Sequence, residues 1–318
     1  MGECAVSKVL VLGATGRAGQ RVSEELLATG VEVVLAGRDG TRLHELAERL
    51  RVPGEATRVV DVQDEQAVGA AVADVDVVVN TVGPFMLLAA SVIEACLRAG
   101  VSSVDLANEQ PAVQALLARD AAAREAGVTL VTGAGLGLVA SEYLTMQLAA
   151  QSTSAPRAVR SVLLTWNSAP SAGVKASAAA AMQGGSTRYV DGELVHAPIG
   201  ADLWQAQLAG RLRTLVAAPL GDVEAVRRAS GAGDVTAYVE APPGAGVDGD
   251  EPGSAVHVEF TDEQGGTRTA TIEPGDSLTL TSRIAARTVL GVLEGGRPGA
   301  WTPGALLGAD TFRDALGV

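Results

Sequence analysis

The chain has 318 residues, 47% of them hydrophobic, which is enough for a sizeable core and, by length, for two domains. With 24 basic and 37 acidic residues the net charge is −13, which argues against nucleic acid as a main partner, because a phosphate backbone needs a basic surface. No apolar run reaches the roughly 18–20 residues of a membrane helix, "MGECAVSK" shows no signal peptide, and Val6 breaks the myristoylation pattern that Gly2 would begin, so no membrane partner and a cytoplasmic location are expected.

The first 135 residues alternate between short apolar runs and helical segments. "KVLVLGA" reads as a strand. "GRAGQRVSEELLATG" reads as a helix with Ala18, Val22 and Leu26 on one face and Gly30 as its cap. "VEVVLAG", "ATRVVDV", "DVVVNTVG", "VSSVDLA" and "VTLVTGAG" are further strands, with helical segments between them. The strands are continuous β-branched runs, the pattern of a parallel sheet covered on both faces. A doubly wound α/β Rossmann domain of strand order 3-2-1-4-5-6 is the expected fold over 1–135. Cys4 and Cys96 fall in these elements and read as small buried hydrophobes.

From residue 136 the rhythm changes. "LVASEYLTMQLAAQ" and "GVKASAAAAMQ" read as helices, and "TRYVDGELVHA" as a hairpin turning at Asp191-Gly192. "AVRSVLLTW", "LRTLVAAP", "DVTAYVEA", "SAVHVEFT" and "TRTATIE" are strands, and 241–253 is a Pro/Gly-rich acidic loop. An α+β second domain over 136–276 follows, with the helix and tail of 277–318 returning to pack on the first domain.

"VLGATGRAGQ" sets Gly13, Gly16 and Gly19 between a strand and a helix. Gly13 serves the tight turn, Gly16 lets backbone approach a pyrophosphate, and Gly19 brings helix and sheet together, with the helix N-terminus supplying free N–H groups. Thr15, Arg17 and Ala18 belong to the same turn. The second strand runs into Arg38, where an NAD enzyme usually has a carboxylate for the ribose 2′-OH. A guanidinium there pairs with a 2′-phosphate, so NADPH is the expected cofactor. Asp61 and Val62 end the third strand, where adenine normally lies, although Asp61 reads nearly as well as a helix cap. "NTVGPF" supplies Asn80, Thr81, Val82, Gly83, Pro84 and Phe85 as the second wall, beside the nicotinamide.

Asn108, Glu109 and Gly135 sit at strand ends beside the switch point, and Trp166 ends a strand that can wall the pocket; these are the candidate substrate contacts. A small molecule is the expected partner, and a homodimer is among the expected assemblies. The chain has no Tyr-x-x-x-Lys, no G-x-S-x-G and no His/Cys/carboxylate set at ligand spacing, so neither a hydrolase elbow nor a metal site is expected. Hydride transfer by positioning remains. Lys175, Tyr189 and His196 are the candidate proton donors. The residues leave open reduction of an imine or activated C=C bond, reduction of a ketone, and NADPH binding without turnover.

"GATGRAGQ", "LAGRD", "VVNTVGPF", "VDLANEQ" and "TGAGLGLVASEYL" together resemble the saccharopine dehydrogenase-like reductases, which include saccharopine reductases and trans-acting enoyl reductases. The resemblance is strongest over the first 145 residues or so and returns near "DSLTLTSRIAA" and "WTPGALLG". It implies a nicotinamide cofactor and a second domain like the C-terminal domain of glyceraldehyde-3-phosphate dehydrogenase. It also implies an active site between the domains, with substrate contact near Lys175. Asn108 stands where that family commonly has a glycine.

Overall fold

The computed structural model describes residues 7–241 and 251–318, so Cys4 and most of the 241–253 loop lie outside the described residues. The first unit holds strands β1 (Lys8–Leu12), β2 (Glu32–Gly37), β3 (Thr57–Val59), β4 (Val77–Asn80), β5 (Ser102–Asp105) and β6 (Thr129–Val131). Helices α1 (Arg17–Ala28), α2 (Gly40–Leu50), α3 (Glu65–Val72), α4 (Phe85–Ala99), α5 (Gln110–Leu117) and α6 (Asp120–Ala126) connect them. The second unit runs from α7 (Leu136–Ala150) and β7 (Pro156–Trp166) through α8 (Ala172–Met182), β8 (Ser186–Val190), β9 (Glu193–Ala197), β10 (Leu203–Leu208) and β11 (Arg211–Ala217). It continues with α9 (Asp222–Ser230), β12 (Asp234–Glu240), β13 (Gly253–Asp262) and β14 (Thr267–Ile272). The chain then forms α10 (Ser277–Gly295), β15 (Gly299–Trp301), α11 (Pro303–Leu307) and α12 (Arg313–Leu316).

The first sheet is parallel, in the order β15-β6-β5-β4-β1-β2-β3. Its six early strands follow the expected order. The seventh, β15, comes from the tail and pairs Gly299 with Thr129. All four residues of β4 are buried, as a central strand covered on both faces requires. On one face α10 joins α1, and Ala285, Val289 and Val292 share a core cluster with Val9, Val11 and Leu26. Asp39 and Asp64 cap α2 and α3 by accepting from the N–H of Arg42 and of Gln66 and Ala67. Asp61 is therefore not the cap of α3. It forms a local turn instead, accepting from the Gln63 N–H at 3.0 Å.

The second sheet runs β10-β11-β12-β7-β13-β14, with the β8–β9 hairpin joined through β8 to β12. The turn of that hairpin places Asp191 at φ 50° and Gly192 at φ 83°, the left-handed pair of a two-residue loop. Helices α7 and α9 cover one face. The other face curls on itself, so that Trp204 of β10 sets its ring 5.4 Å from Tyr238 and 6.1 Å from His257. Strand β10, helix α9 and strand β15 had no counterpart in the sequence reading. α9 hid because buried Asp222 and Glu224 share its inner surface with Val223 and Val226, which blurs the apolar stripe. Among the described residues no helix is long and apolar enough to cross a membrane.

Helix α7 is buried almost all round and carries Glu142 into the core. Its carboxylate accepts from Thr302 Oγ1 at 2.5 Å and from the Gly304 N–H at 2.8 Å, tying the tail to the second unit. Burial pushes its pKa up to about 7, against the opposing pull of those hydrogen bonds. The folded chain therefore holds a proton that the unfolded chain releases near the ordinary glutamate value of 4.5. Stability should fall as pH rises between these values and level off above them. We expect the melting temperature to drop between about pH 5 and pH 8, and Glu142→Gln to flatten that slope. A Glu142→Gln protein with the wild-type slope in scanning calorimetry would contradict the assignment.

Candidate functional site

The site begins where β1 gives way to α1. Gly13 has φ +79°, and a Cβ there would stand 2.7 Å from Thr81 Oγ1, so only glycine fits the turn. The N–H groups of Gly13 and Ala14 both donate to the Ala36 carbonyl at 2.9 Å, which pins the turn to β2. A Cβ on Gly19 would lie 2.2 Å from the Gly13 carbonyl oxygen, so α1 sits directly on the turn. Helix α1 starts with no side-chain cap and no acidic residue in its first turn, whereas α2, α3, α8 and α10 each close their N-terminus with an Asp or Ser side chain. Gly16 and Arg17 are exposed at this open, positive end. The geometry fits a pyrophosphate.

Three arginines edge the turn. Arg17 leads α1. Arg38 is exposed just beyond Gly37, whose own Cβ position is 3.5 Å from Thr15 Oγ1. Arg42 donates to the Thr15 carbonyl at 3.1 Å. Asp39, the nearest carboxylate after β2, is occupied in capping α2. Val62 is buried, and its carbonyl accepts from Ser91 Oγ at 2.6 Å.

The second wall is built differently from its sequence reading. Thr81 turns both its N–H and its hydroxyl to the Leu12 carbonyl, at 3.0 and 2.8 Å. Asn80 is buried and accepts from the Val82 N–H at 3.0 Å. Both are polar because the backbone between β4 and β1 needs partners. Thr81, Val82, Gly83 and Pro84 are half-buried along this wall. Phe85 is buried in the core between the two units, its ring 3.5 Å from the Cβ position of Gly83. The Gly83–Pro84 peptide bond is cis.

Glu109 is buried and has both oxygens engaged: Oε1 accepts from the Phe85 N–H at 2.9 Å and Oε2 from the Asn108 N–H at 3.1 Å. It therefore caps α4, whose own N-cap is a proline with no side-chain acceptor. The same loop bridges to the second unit, with Gly221 N–H on the Asn108 carbonyl at 2.7 Å and Gln110 N–H on the Pro219 carbonyl at 2.9 Å. Asn108 Oδ1 is buried beside this seam without a hydrogen-bond partner. Asp105, buried at the end of β5, accepts from Thr132 Oγ1 and from the N–H groups of Ala107 and Gly133, and burial pushes its pKa up to about 6. Gly135 is half-buried and starts α7.

The three candidate donors are not brought together. Lys175 is exposed on the outer face of α8. Tyr189 is buried against α9, donating to Glu224 Oε1 at 3.0 Å with the Arg227 guanidinium 4.4 Å from its ring centroid. Burial and the Glu224 carboxylate push its pKa up to about 12, so it keeps its proton. His196 is exposed on β9, by the C-terminal end of α8, where it borders a shallow surface groove with Met182 and Pro198. Trp166 pairs with Gly253 and packs on the face of the second sheet away from α7 and α9, so it does not wall the cleft. The residue of α8 that faces the wall is Ser177, with its Oγ 2.6 Å from the Cβ position of Gly83. Ser177 follows Lys175 by two, so helical geometry turns the two to opposite sides. No His/Cys/Asp/Glu group able to hold a metal occurs among the described residues.

Residues 9–131 match the family model for the saccharopine dehydrogenase NADP-binding domain. A lipid droplet localized protein of Caenorhabditis elegans is 30% identical over 138 residues, 40% of this chain and 32% of that protein. An uncharacterized oxidoreductase of Staphylococcus saprophyticus is 32% identical over 107 residues, 30% of this chain and 45% of that protein. The matched stretch thus spans less than half the length of either relative. Among solved structures, the apo saccharopine dehydrogenase (L-Glu forming) from Saccharomyces cerevisiae matches over 98% of both chains, with a TM-score of 0.69 and 15% identity. GenD2 from gentamicin A biosynthesis, in complex with NAD, matches over 100% of this chain and 94% of its own, with a TM-score of 0.52 and 18% identity. At such identities these structures establish the fold alone. The domain match supports a nicotinamide dinucleotide as the cofactor.

Replacing Glu109 by Ala leaves the Phe85 and Asn108 N–H groups without their acceptor, which should cost about 1–3 kcal/mol. Urea unfolding should show that loss, and a Glu109→Ala midpoint equal to wild type would refute the capping role.

Proposed function

We propose that the chain is a saccharopine dehydrogenase-like oxidoreductase that uses NADPH to reduce a C=N bond, or an activated C=C bond, of a small organic molecule in a biosynthetic setting; the match of residues 9–131 to the saccharopine dehydrogenase NADP-binding domain supports this reading. The observation that carries the cofactor choice is the edge of the glycine turn. Arg38 is exposed where a ribose 2′ oxygen would lie, Arg42 is held beside it on the Thr15 carbonyl, and Asp39 is drawn away to cap α2. A guanidinium pairs with a 2′-phosphate through charge-assisted bonds, and a carboxylate would repel it.

When bound, the cofactor supplies the hydride. The protein's part is to bind and orient. The α1 N-terminus takes the pyrophosphate, and the Thr81–Pro84 backbone backs the nicotinamide. Among the donor candidates Tyr189 keeps its proton on Glu224, Lys175 points outward, and His196 sits at the far end of α8. With none of these three brought to the wall, an acceptor that arrives already polarised, as a protonated imine does, is favoured.

Charge-assisted hydrogen bonds are worth about 1.5–3 kcal/mol, so Arg38→Ala should weaken NADPH about tenfold to a hundredfold and leave NADH nearly unchanged. Fluorescence titration reads both, and unchanged NADPH affinity would sink the assignment. A turnover screen should find imines ahead of enones and ketones. Tight NADPH binding with no turnover of any class would instead make the chain a binding protein.

A further inference from the structure

The two walls of the groove belong to the first unit, yet a segment of the second unit spans from one to the other. Arg17 Nη1, at the head of α1, donates to the Ala169 carbonyl at 2.7 Å. Eight residues later Ser177 presses on Gly83, at the corner between β4 and α4. The stretch 169–177 therefore crosses above the ground between the pyrophosphate turn and the nicotinamide wall. Gly83 is the residue that makes the crossing this close, because any Cβ there would meet the Ser177 hydroxyl at 2.6 Å.

The segment is built to hold its shape with little burial. Six of the eleven residues of α8 are alanine, the strongest helix former, and Ser171 caps it by accepting from the Val174 N–H at 3.2 Å. Only Ala181 in α8 is buried, and Val174 is 57% exposed. An element with so few buried contacts opens at low free-energy cost.

We propose that residues 169–177 are a third wall of the dinucleotide site, a strap from the second unit that closes over bound cofactor and must lift for it to enter or leave. Arg17 anchors it at the pyrophosphate end and Ser177 is the positioning residue at the nicotinamide end. The inference rests on the dinucleotide reading above. It places the second unit in the cofactor site as well as on the substrate side.

Hydrogen exchange of the wild-type chain with and without saturating NADPH tests it. Slowed exchange at 13–19, 81–85 and 169–178 together is the expected result. Slowing at the first two segments with none at 169–178 would overturn the strap. Slowing at none of the three would overturn the dinucleotide reading instead, and the strap with it. A second test uses Gly83→Cys with Ser177→Cys, in a chain carrying Cys4→Ser. The 2.6 Å between the Gly83 Cβ position and Ser177 Oγ is within about 0.5 Å of the ~3.0 Å that separates one cysteine's sulfur from its partner's Cβ, so a small shift admits the bridge. Buried Cys96, its thiol pushed up to about 12, stays out of the reaction. The bridged form, loaded with NADPH before oxidation, should release it at least about tenfold more slowly than the reduced form. Failure of the bridge to form, or equal release rates, would count against the strap.

Discussion

Glu109 holds the two units in one arrangement. Its carboxylate closes the N-terminus of α4 through Phe85, and its second oxygen fixes the Asn108 backbone. The residues on either side of it, Asn108 and Gln110, make the backbone bridge to Pro219 and Gly221 of the second unit. The side chain is buried, so its hydrogen bonds are not shared with solvent, and losing one would strand an N–H in the core. The corner at Gly83, the ring of Phe85 and the seam at Asn108 all follow from where this carboxylate sits.

The site looks poor in catalytic groups because its polar groups serve backbone. Thr81, Asn80, Asp105 and Glu109 would each read as a cofactor or substrate ligand from position alone. Each is instead engaged with a neighbouring carbonyl or N–H. Strand ends at a switch point leave main-chain groups without ladder partners, and short polar side chains satisfy them. What these side chains leave free around the glycine turn is largely main chain and arginine, which suits the proposed reaction, whose chemistry the cofactor would carry.

The first sheet was legible because its code is local. Each strand is a continuous apolar run, each helix follows at once, and the glycines mark the turn by spacing. Gly13 and Gly19 could be placed for the same reason. What stayed hidden depends on distant partners. Tyr189 could not be told from a proton donor until Glu224 and Arg227 were seen around it. Glu109 could not be told from a substrate ligand without α4 in place. Ser177 gave no signal beyond a small residue in an alanine-rich helix, and only Gly83, far off in sequence, reveals what it faces. β15 is three residues long and has no run to read.

The return of the tail to the first sheet sets an order on synthesis. Thr129 of β6 bonds Arg297 just before β15, 168 residues further along the chain. The α1 face of that sheet is covered by α10, which also comes late. A ribosome making this chain therefore releases six strands whose edge and one flank lie bare while the whole second unit is still being made. Until α10 and β15 emerge, β6 is an unpaired edge, the kind of surface that pairs with other chains. The first sheet is begun before the second unit and completed only after it, so its last strand cannot pair until the second unit has been made.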